Sequence, residues 1–317
     1  MHQNNGSVPV NYLCVMGRLF ENIRRSVVPL IVSRCSSKRQ LVAGLLIVSI
    51  LLAGPGSTAQ PVSSLILGVH PYLSYSTLRV RFDPLAQYLT DRLGVPVTVR
   101  VGNSYNDHVE EIGHNRIDIA YIGPAGYVQV VHRYGRKPLL ARLETNNTVE
   151  LAGHFIVRDD SPLRQLSDLA GRHVGFGDLQ STMSSVLPLA VLEKSGITIG
   201  QQTRYRSHTS IAIAVLSGQV DAGAVKDEVF QQFKNQGLRS LAPLPLVSEH
   251  AFVSRADLPE QLTAQLRSLL LTLDQSEDGR HALKAIHTQA TGLRPVSDAD
   301  YAPLRELLYP GSDGNAG

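Results

Sequence analysis

The segment VGFGDLQSTMSSVLPLAVLEKSGI, residues 174–197, joins a short apolar run, a turn through two glycines and a stretch rich in hydroxyl side chains. The apolar run is typical of a buried strand, and Ser181 is a preferred residue type at the start of a helix. The backbone N–H groups at such a helix start are free to bind an anion. An ordinary capped helix has the same features, so this segment alone leaves both interpretations open.

Strand and helix patterns alternate on both sides of this segment, with short connections between them. SLILGVH at 64–70 and RIDIAYIGP at 116–124 are apolar runs of the buried-strand type. Asp83 and Pro84 form a start signal for a helix that ends at Gly94. Such alternation predicts parallel sheets covered by helices on both faces.

From Pro259 onward the sequence predicts helices only. Two groups of alternating strands and helices, followed by this helical segment, predict a two-lobed α/β protein. Ligands in such folds bind where parallel strands end, beside the helix starts. Five positions satisfy this rule: after His70, near Ser104, after Tyr121, at Ser181 and at His208.

The N-terminal 59 residues differ in kind from the rest. Basic residues precede an uncharged apolar run at 41–54, and Ala59 follows as a small residue at a cleavage position. These are the three parts of a secretory signal peptide, so we expect residues 1–59 to be removed on export to the periplasm. An uncleaved membrane anchor is the alternative, although the run is shorter than the roughly 20 residues of a membrane span.

Composition argues against several classes of function. Six basic residues and one acid lie in residues 1–59, so their removal changes the net charge from +3 to −2. The remainder then has no basic patch that would argue for nucleic acid. Both cysteines, Cys14 and Cys35, lie in the same segment, which excludes thiolate catalysis and cysteine metal ligands from the remainder.

Motifs for enzymatic chemistry are missing from the sequence as well. GFGDLQ at 175–180 has Gln180 where a dinucleotide-binding loop needs its third glycine. The sequence has neither the G-x-S-x-G motif of a hydrolase nor an H-E-x-x-H or C-x-x-C metal motif. We therefore expect no enzyme, no cofactor and no metal. Oxyanion binding without chemistry remains, because polar helix starts at Ser181, Tyr105 and His208 suit an anion.

Four fragments of the chain, in order, resemble a known family: GVHPY with FDPLAQYLTDRLGVPV, SYNDHVEEIGHNRIDIAYIGP, FGDLQSTMSSVLP and HTSIAIAVLSGQVDAGAV. They are similar to the phosphate/phosphite/phosphonate-binding proteins of ABC importers. The resemblance implies a type II periplasmic binding protein, in which each lobe is a mostly parallel sheet flanked by helices and a hinge joins the lobes. We predict lobe 1 at 60–157 plus 247–317 and lobe 2 at 158–246.

The resemblance also implies ligand-binding roles at matched positions. The family's anion loop has three hydroxyl residues, and Met183 replaces the third, so only its backbone N–H can donate there. Ile122 stands where the family often has a ligand-facing ring. The predicted ligand-binding residues are Tyr72, Tyr105, Tyr121, Ser181, Thr182, Met183 and His208.

Two further positions bear on the kind of ligand. Aminophosphonate binders of the family hold the ligand's amine with acids. His250 occupies one such place and Glu228 matches another. The loss of an acid at His250 favours an oxyanion whose substituent is small and uncharged.

We expect a monomeric periplasmic protein that closes on phosphonate, phosphite, phosphate or a similar oxyanion and delivers it to an ABC permease. The alternative is a protein of the same fold that reports ligand to a membrane sensor kinase. An enzyme on this fold is a weaker alternative. The sequence leaves the identity of the oxyanion open.

Overall fold

The computed structural model describes residues 62–311. They form a six-stranded sheet, a five-stranded sheet and a two-stranded ribbon, with helices packed on both large sheets. The predicted two-lobed α/β class is confirmed. The predicted signal peptide lies outside the described residues, and within 62–311 no helix is long and apolar enough to cross a bilayer.

Short segments build both sheets. The strands are β1 Leu65–Val69, β2 Val97–Val101, β3 Ile119–Ile122, β4 Leu139–Thr145, β5 Glu150–Leu151, β6 Gly153–Arg158, β7 His173–Phe176, β8 Gln201–Arg204, β9 Ala222–Lys226, β10 Leu238–Pro243, β11 Val247–Ser248, β12 Ala251–Ser254 and β13 Ala290–Arg294. The α-helices are α1 Tyr75–Leu93, α2 Tyr105–Gly113, α3 Pro124–Tyr134, α4 Leu187–Lys194, α5 His208–Leu216, α6 Asp227–Phe233, α7 Glu260–Leu271, α8 Glu277–Ile286 and α9 Ala302–Leu308.

The first sheet has the strand order β2-β1-β3-β12-β4-β13. Strand β1 pairs in parallel with β2 and β3, as the alternating pattern predicts. Strands β12 and β13 pair antiparallel with their neighbours. The sheet is therefore mixed, because β12 re-enters it from the opposite direction after the chain has visited the second sheet.

The second sheet has the order β8-β7-β9-β6-β10. Strand β7 is parallel to β8 and β9, whereas β6 runs antiparallel to β9 and β10. The predicted boundary between residues 157 and 158 falls within β6, all of which lies in this sheet. The lobe boundaries stay a prediction, and these pairings favour a first boundary before Gly153.

The chain crosses between the two sheets at the β5–β11 ribbon, which we call the hinge ribbon. Strand β5 leads from β4 of the first sheet to β6 of the second, and β11 leads back from β10 to β12. The two strands pair antiparallel, with Val247 opposite Leu151 and Ser248 opposite Glu150. This short ribbon is therefore the expected position of the hinge in the two-lobed fold.

One hydrophobic cluster is shared by both sheets. Ile122 and Tyr127 contribute to it from the first-sheet side, and Phe155 and Phe176 contribute from the second. Helix α9 adds Leu304 and packs against both α3 and α4. The two lobes are therefore joined by buried apolar contacts as well as by the hinge ribbon.

The predicted start of the first helix at Asp83 and Pro84 is wrong. Helix α1 begins at Tyr75, because the Ser74 hydroxyl accepts a hydrogen bond from the Thr77 N–H at 3.2 Å. Pro84 lies inside the helix and leaves one turn without its backbone hydrogen bond. Phe82 and other fully buried side chains on the same face stabilise the helix across this defect.

The prediction of helices only after Pro259 is also wrong, because β13 is a strand. It pairs with β4 at the edge of the first sheet, and Leu293 is buried there. The five residues ATGLR have too few apolar or β-branched side chains for a strand pattern. This segment is a strand because it pairs with β4, which is distant from it in sequence.

Replacement of Pro84 by alanine should stabilise the protein by about 1–3 kcal/mol, because alanine restores the missing N–H and suits a helix interior far better than proline. Urea denaturation of wild type and Pro84→Ala measures the difference. Pro96→Ala is the matched control, since Pro96 is exposed and outside a helix. An unchanged or lower stability of Pro84→Ala would mean that the proline is accommodated without cost.

Candidate functional site

The carboxyl ends of β1 and β3 lie at one edge of the first sheet. His70 follows β1 directly, and Tyr121 lies near the end of β3. His250 precedes β12, whose first residue Ala251 pairs with Ile122 of β3 in antiparallel register. The antiparallel entry of β12 therefore brings a residue that is distant in sequence to the same edge.

Six aromatic side chains form what we call the ring cluster at this edge. Its members are His70, Tyr72, Tyr105, His108, Tyr121 and His250. The His70 ring is central, with its centroid 4.8 Å from that of Tyr72 and 5.2 Å from that of Tyr105. His250 stacks on Tyr121 at 5.1 Å with the planes 10° apart. The cluster unites three predicted tyrosines with histidines from three different segments.

At the matching edge of the second sheet, backbone amides lie where the first sheet has the ring cluster. After β7 the chain turns and enters a π-helical turn, Thr182–Val186, that continues into α4. Within residues 62–311 the backbone N–H groups of Thr182, Met183 and Ser184 have no hydrogen-bond acceptor. We call these three groups the amide loop. Free N–H groups in a row at a helix start have the geometry that anions bind.

One side chain of this loop, that of Ser181, differs from the expected helix cap. The Ser181 hydroxyl does not cap the helix, because it accepts a hydrogen bond from the Ser184 hydroxyl at 2.7 Å. The Met183 side chain is 2 % exposed and belongs to the shared core, where it approaches Gly153. Met183 can therefore offer only its N–H to a ligand.

His208 begins α5 and presents one ring nitrogen as a donor. The Lys226 N–H donates to His208 Nδ1 at 3.1 Å, so the neutral ring carries its proton on Nε2. Burial and the nearby Lys226 charge lower the pKa of His208 to about 3. His208 thus stays an uncharged donor across the ordinary pH range.

Three polar contacts join the two sides of the cleft between the sheets. The Ala125 N–H at the start of α3 donates to the Thr182 hydroxyl at 3.1 Å. Gln180 Nε2 donates to Asn106 Oδ1 at 3.4 Å. His287 Nε2 lies 3.1 Å from Glu228 Oε2. The first contact places the amide loop beside the edge that carries the ring cluster. The lobes are thus in contact across the cleft.

Burial keeps five of the six side chains of the ring cluster uncharged. It raises the pKa of Tyr72, Tyr105 and Tyr121, so their hydroxyls remain protonated donors. It lowers the pKa of His108 to about 4 and holds the pKa of His70 well below its usual value. His70 Nδ1 and His108 Nε2 each donate to the Tyr121 carbonyl, at 3.2 and 3.1 Å.

The two acids beside the cleft are paired with cations or imidazoles. Glu249 is 5 % exposed, and its Oε2 accepts from both the backbone N–H and Nδ1 of His250, each at 2.6 Å. Glu228 contacts His287 and the Lys226 ammonium. These contacts, the hydrogen bond from His287 first, lower the pKa of Glu228 to about 2. Both carboxylates are ionised and already have partners.

The sequence gives no signal for Arg81. It marks the strand end at His70 and the family position at His250, but neither histidine is among the predicted ligand-binding residues. Arg81 lies beside Tyr72 and Tyr121, where its charge lowers the pKa of both hydroxyls against the larger effect of burial. Because the start of α1 was placed after it, Arg81 was not expected near the site. His70 was detectable as the last residue of a buried strand.

The chain belongs to the family described as ABC transporter, phosphonate, periplasmic substrate-binding protein, whose sequence profile matches residues 67–301. The Phosphonates-binding periplasmic protein of Escherichia coli K12 is 23% identical over 81% of this chain and 79% of its own length. The Phosphate-import protein PhnD of Mycolicibacterium smegmatis is 24% identical over 77% of this chain and 84% of its own length.

Solved structures agree in fold. PhnD1 from Prochlorococcus marinus, solved in complex with methylphosphonate, superimposes with a TM-score of 0.67 at 22% identity and covers 77% of this chain and 97% of PhnD1. The predicted resemblance to the phosphonate-binding family is confirmed. Members of this family are periplasmic substrate-binding proteins of ABC transporters.

Replacement of Met183 by alanine should cost about 2–5 kcal/mol of stability, because it leaves a cavity in the shared core. Met183→Leu keeps the volume and should cost less than about 1.5 kcal/mol. Urea denaturation measures both variants. Equal, small losses would show that the side chain is not packed as described.

The free energy of unfolding should fall as the pH falls from about 6.5 towards 4. His108 stays neutral in the folded protein at pH values where the unfolded chain binds a proton, which removes about 1.4 kcal/mol per pH unit in this window. Replacement of His108 by glutamine should flatten the dependence, since glutamine does not titrate and can still donate to the Tyr121 carbonyl.

Denaturation series at pH 7.5, 6 and 5 test this expectation. His281→Gln is the control, because His281 is exposed and should leave the slope nearly unchanged. A slope that His108→Gln does not alter would contradict the neutral state of this histidine.

Proposed function

We propose that the protein captures a small tetrahedral oxyanion, such as a phosphonate, phosphite or phosphate, between its two lobes and delivers it to the permease of an ABC importer. The amide loop at Thr182–Ser184 carries this proposal. Its three free N–H groups lie at a helix start and beside the ring cluster of the opposite lobe.

The donors at this site suit an anion although most of them are uncharged. Backbone amides, the tyrosine hydroxyls of the ring cluster and His208 Nε2 can each donate to an oxygen atom. The partial positive charge of a helix start adds to the field of the amide loop. Hydrogen bonds to an ionised acceptor are about twice as strong as neutral ones. No net positive charge on the protein is needed.

The pairing of the acids bears on the substituent of the ligand. An ammonium group would need a carboxylate whose charge is not already compensated by another cation or imidazole. Glu249 is occupied by His250, and Glu228 by His287 and Lys226. We therefore favour oxyanions with a small, uncharged substituent over aminoalkylphosphonates.

Closure of the lobes about the hinge ribbon would complete the site. The contact between Thr182 and Ala125 shows that groups of the two lobes reach hydrogen-bond distance. Gly123, the residue before α3, has no side chain and so lets the two lobes approach each other closely there. A β-carbon at Gly123 would lie 3.3 Å from His250 Nε2 and 3.6 Å from the Thr182 hydroxyl oxygen.

A thermal-shift panel followed by calorimetric titration tests the function. Methylphosphonate, phosphite or phosphate should raise the melting temperature of the purified protein, whereas 2-aminoethylphosphonate and chloride at equal ionic strength should raise it less. Ligands that bind only the folded state stabilise it in proportion to log concentration above Kd. A panel in which no oxyanion raises the melting temperature would contradict the proposal.

Two variants test the assigned site with the ligand that shifts the melting temperature most. Thr182→Ala and His208→Ala should each weaken binding about tenfold or more, as loss of a charge-assisted hydrogen bond predicts. Ser217→Ala is the matched control for His208→Ala, because Ser217 caps the opposite end of α5. An unchanged Kd in both test variants would refute the site assignment.

A further inference from the structure

Gly177, the residue after β7, is hydrogen-bonded to the turn that carries the amide loop. Its N–H donates to the Ser184 carbonyl at 2.9 Å. Its carbonyl accepts from the Ser185 hydroxyl at 3.1 Å. Both peptide groups of this glycine therefore connect the end of the strand to the turn that presents the three N–H groups.

The strand end and this turn are in close contact. A β-carbon at Gly177 would lie 2.1 Å from the Ser184 hydroxyl oxygen and 2.9 Å from the Ser184 β-carbon, so a larger residue has no room there. Gly177 is buried, and Ser185 is fully buried. A buried polar group that loses its partner is costly, so both hydrogen bonds of Gly177 are strongly favoured.

Arg204, the last residue of β8, reaches the same point from the neighbouring strand. Strand β8 is parallel to β7, and Arg204 pairs with Phe176, the residue before Gly177. Arg204 Nη1 donates to the Gly177 carbonyl at 2.9 Å and to the Ser185 hydroxyl at 3.0 Å. We call Gly177, Ser185 and Arg204 the loop clamp, because each of the three is hydrogen-bonded to the other two.

The turn that contacts the loop clamp has an unusual backbone. The Ser181 carbonyl accepts from the N–H groups of both Ser185 and Val186, at 3.1 and 3.0 Å. The bond from Val186 spans five residues and belongs to a π-helical turn, a geometry that is rare and often found at functional sites. Since the chain seldom adopts this geometry, we expect contacts from outside the turn to hold it.

We propose that Arg204 is a positioning residue for the oxyanion, which holds the amide loop in its binding geometry through Gly177 and Ser185. This rests on the proposed function, in which the amide loop binds the ligand. A loop that is ordered before binding loses less conformational freedom when the ligand arrives. Hydrogen bonds also weaken steeply when an N–H points away from its acceptor. The loop clamp therefore raises the affinity without a bond from Arg204 to the ligand.

Calorimetric titration with the tightest oxyanion of the panel tests the proposal. Arg204→Met removes the guanidinium donors, keeps an unbranched side chain and should weaken binding about tenfold. Arg204 is exposed on an edge strand, so this variant should fold. Ser185→Ala removes the other donor to the Gly177 carbonyl without a change of charge, and it should weaken binding as well.

Arg239→Met is the matched control for the loss of an arginine from the same sheet. Arg239 lies in β10, at the edge opposite β8, and its Nη2 donates to the backbone carbonyls of Ser161 and Leu163. It thus also holds a backbone segment, but one outside the amide loop. We expect this variant to bind the oxyanion with the wild-type Kd.

Amide hydrogen exchange of the unliganded protein separates positioning from a general loss of stability. Because the Gly177 N–H donates to the Ser184 carbonyl, its exchange reports whether the strand end and the turn stay together. Arg204→Met should accelerate this exchange about tenfold or more through local opening. Arg239→Met should leave it unchanged, even if both variants lower the melting temperature equally.

The outcomes distinguish this proposal from the proposed function. If wild type and Arg204→Met bind an oxyanion with the same Kd, the proposal fails while the function stands. The proposal also fails if Arg239→Met weakens binding as much as Arg204→Met does, or if Arg204→Met weakens binding without faster exchange at Gly177. If wild type binds none of the oxyanions, both the function and the proposal fail.

Discussion

The direction of the parallel strands constrains most of the candidate site of this protein. Strands β1 and β3 of the first sheet and β7 and β9 of the second end at one cleft. Each strand end is followed by a turn and a helix start, where backbone N–H groups lack partners within the helix. The cleft therefore collects donors without any requirement for basic side chains.

Burial then determines which of the groups at the cleft are charged. The tyrosine hydroxyls and the rings of His70, His108 and His208 are driven to their neutral forms, and each neutral form still has a proton to donate. The carboxylates stay ionised because each has a close partner, His250 for Glu249 and His287 for Glu228. Apart from Arg81, charge at this site is thus confined to pairs at its margin.

Local sequence signals predict the fold class and several residues of the candidate site. Ser104 caps α2 as expected. The helix starts at Tyr105 and His208 are predictable because a strand end and the helix cap after it are encoded by residues close together in the sequence. His250 and Glu249 depend on β12 entering antiparallel beside β3, a pairing between residues far apart in the chain. The place of Arg81 near the site is not predictable because the predicted start of α1 lies after it. The burial of Met183 depends on contacts with β6. The spacing of apolar residues along the sequence cannot predict such contacts between distant segments.

The hydrophobic cluster that both sheets share has a consequence for the protein as a whole. A fold with two sheets and a two-stranded hinge could melt in two steps, one for each lobe. Here Tyr127 and Phe155, from opposite lobes, lie in the same core, and α9 packs on helices of both. Loss of either lobe would expose the apolar surface of the other, so we expect the chain from 62 to 311 to unfold as a single cooperative unit. A ligand in the cleft would then protect distant strands such as β13 and β8 from unfolding as effectively as its own neighbours.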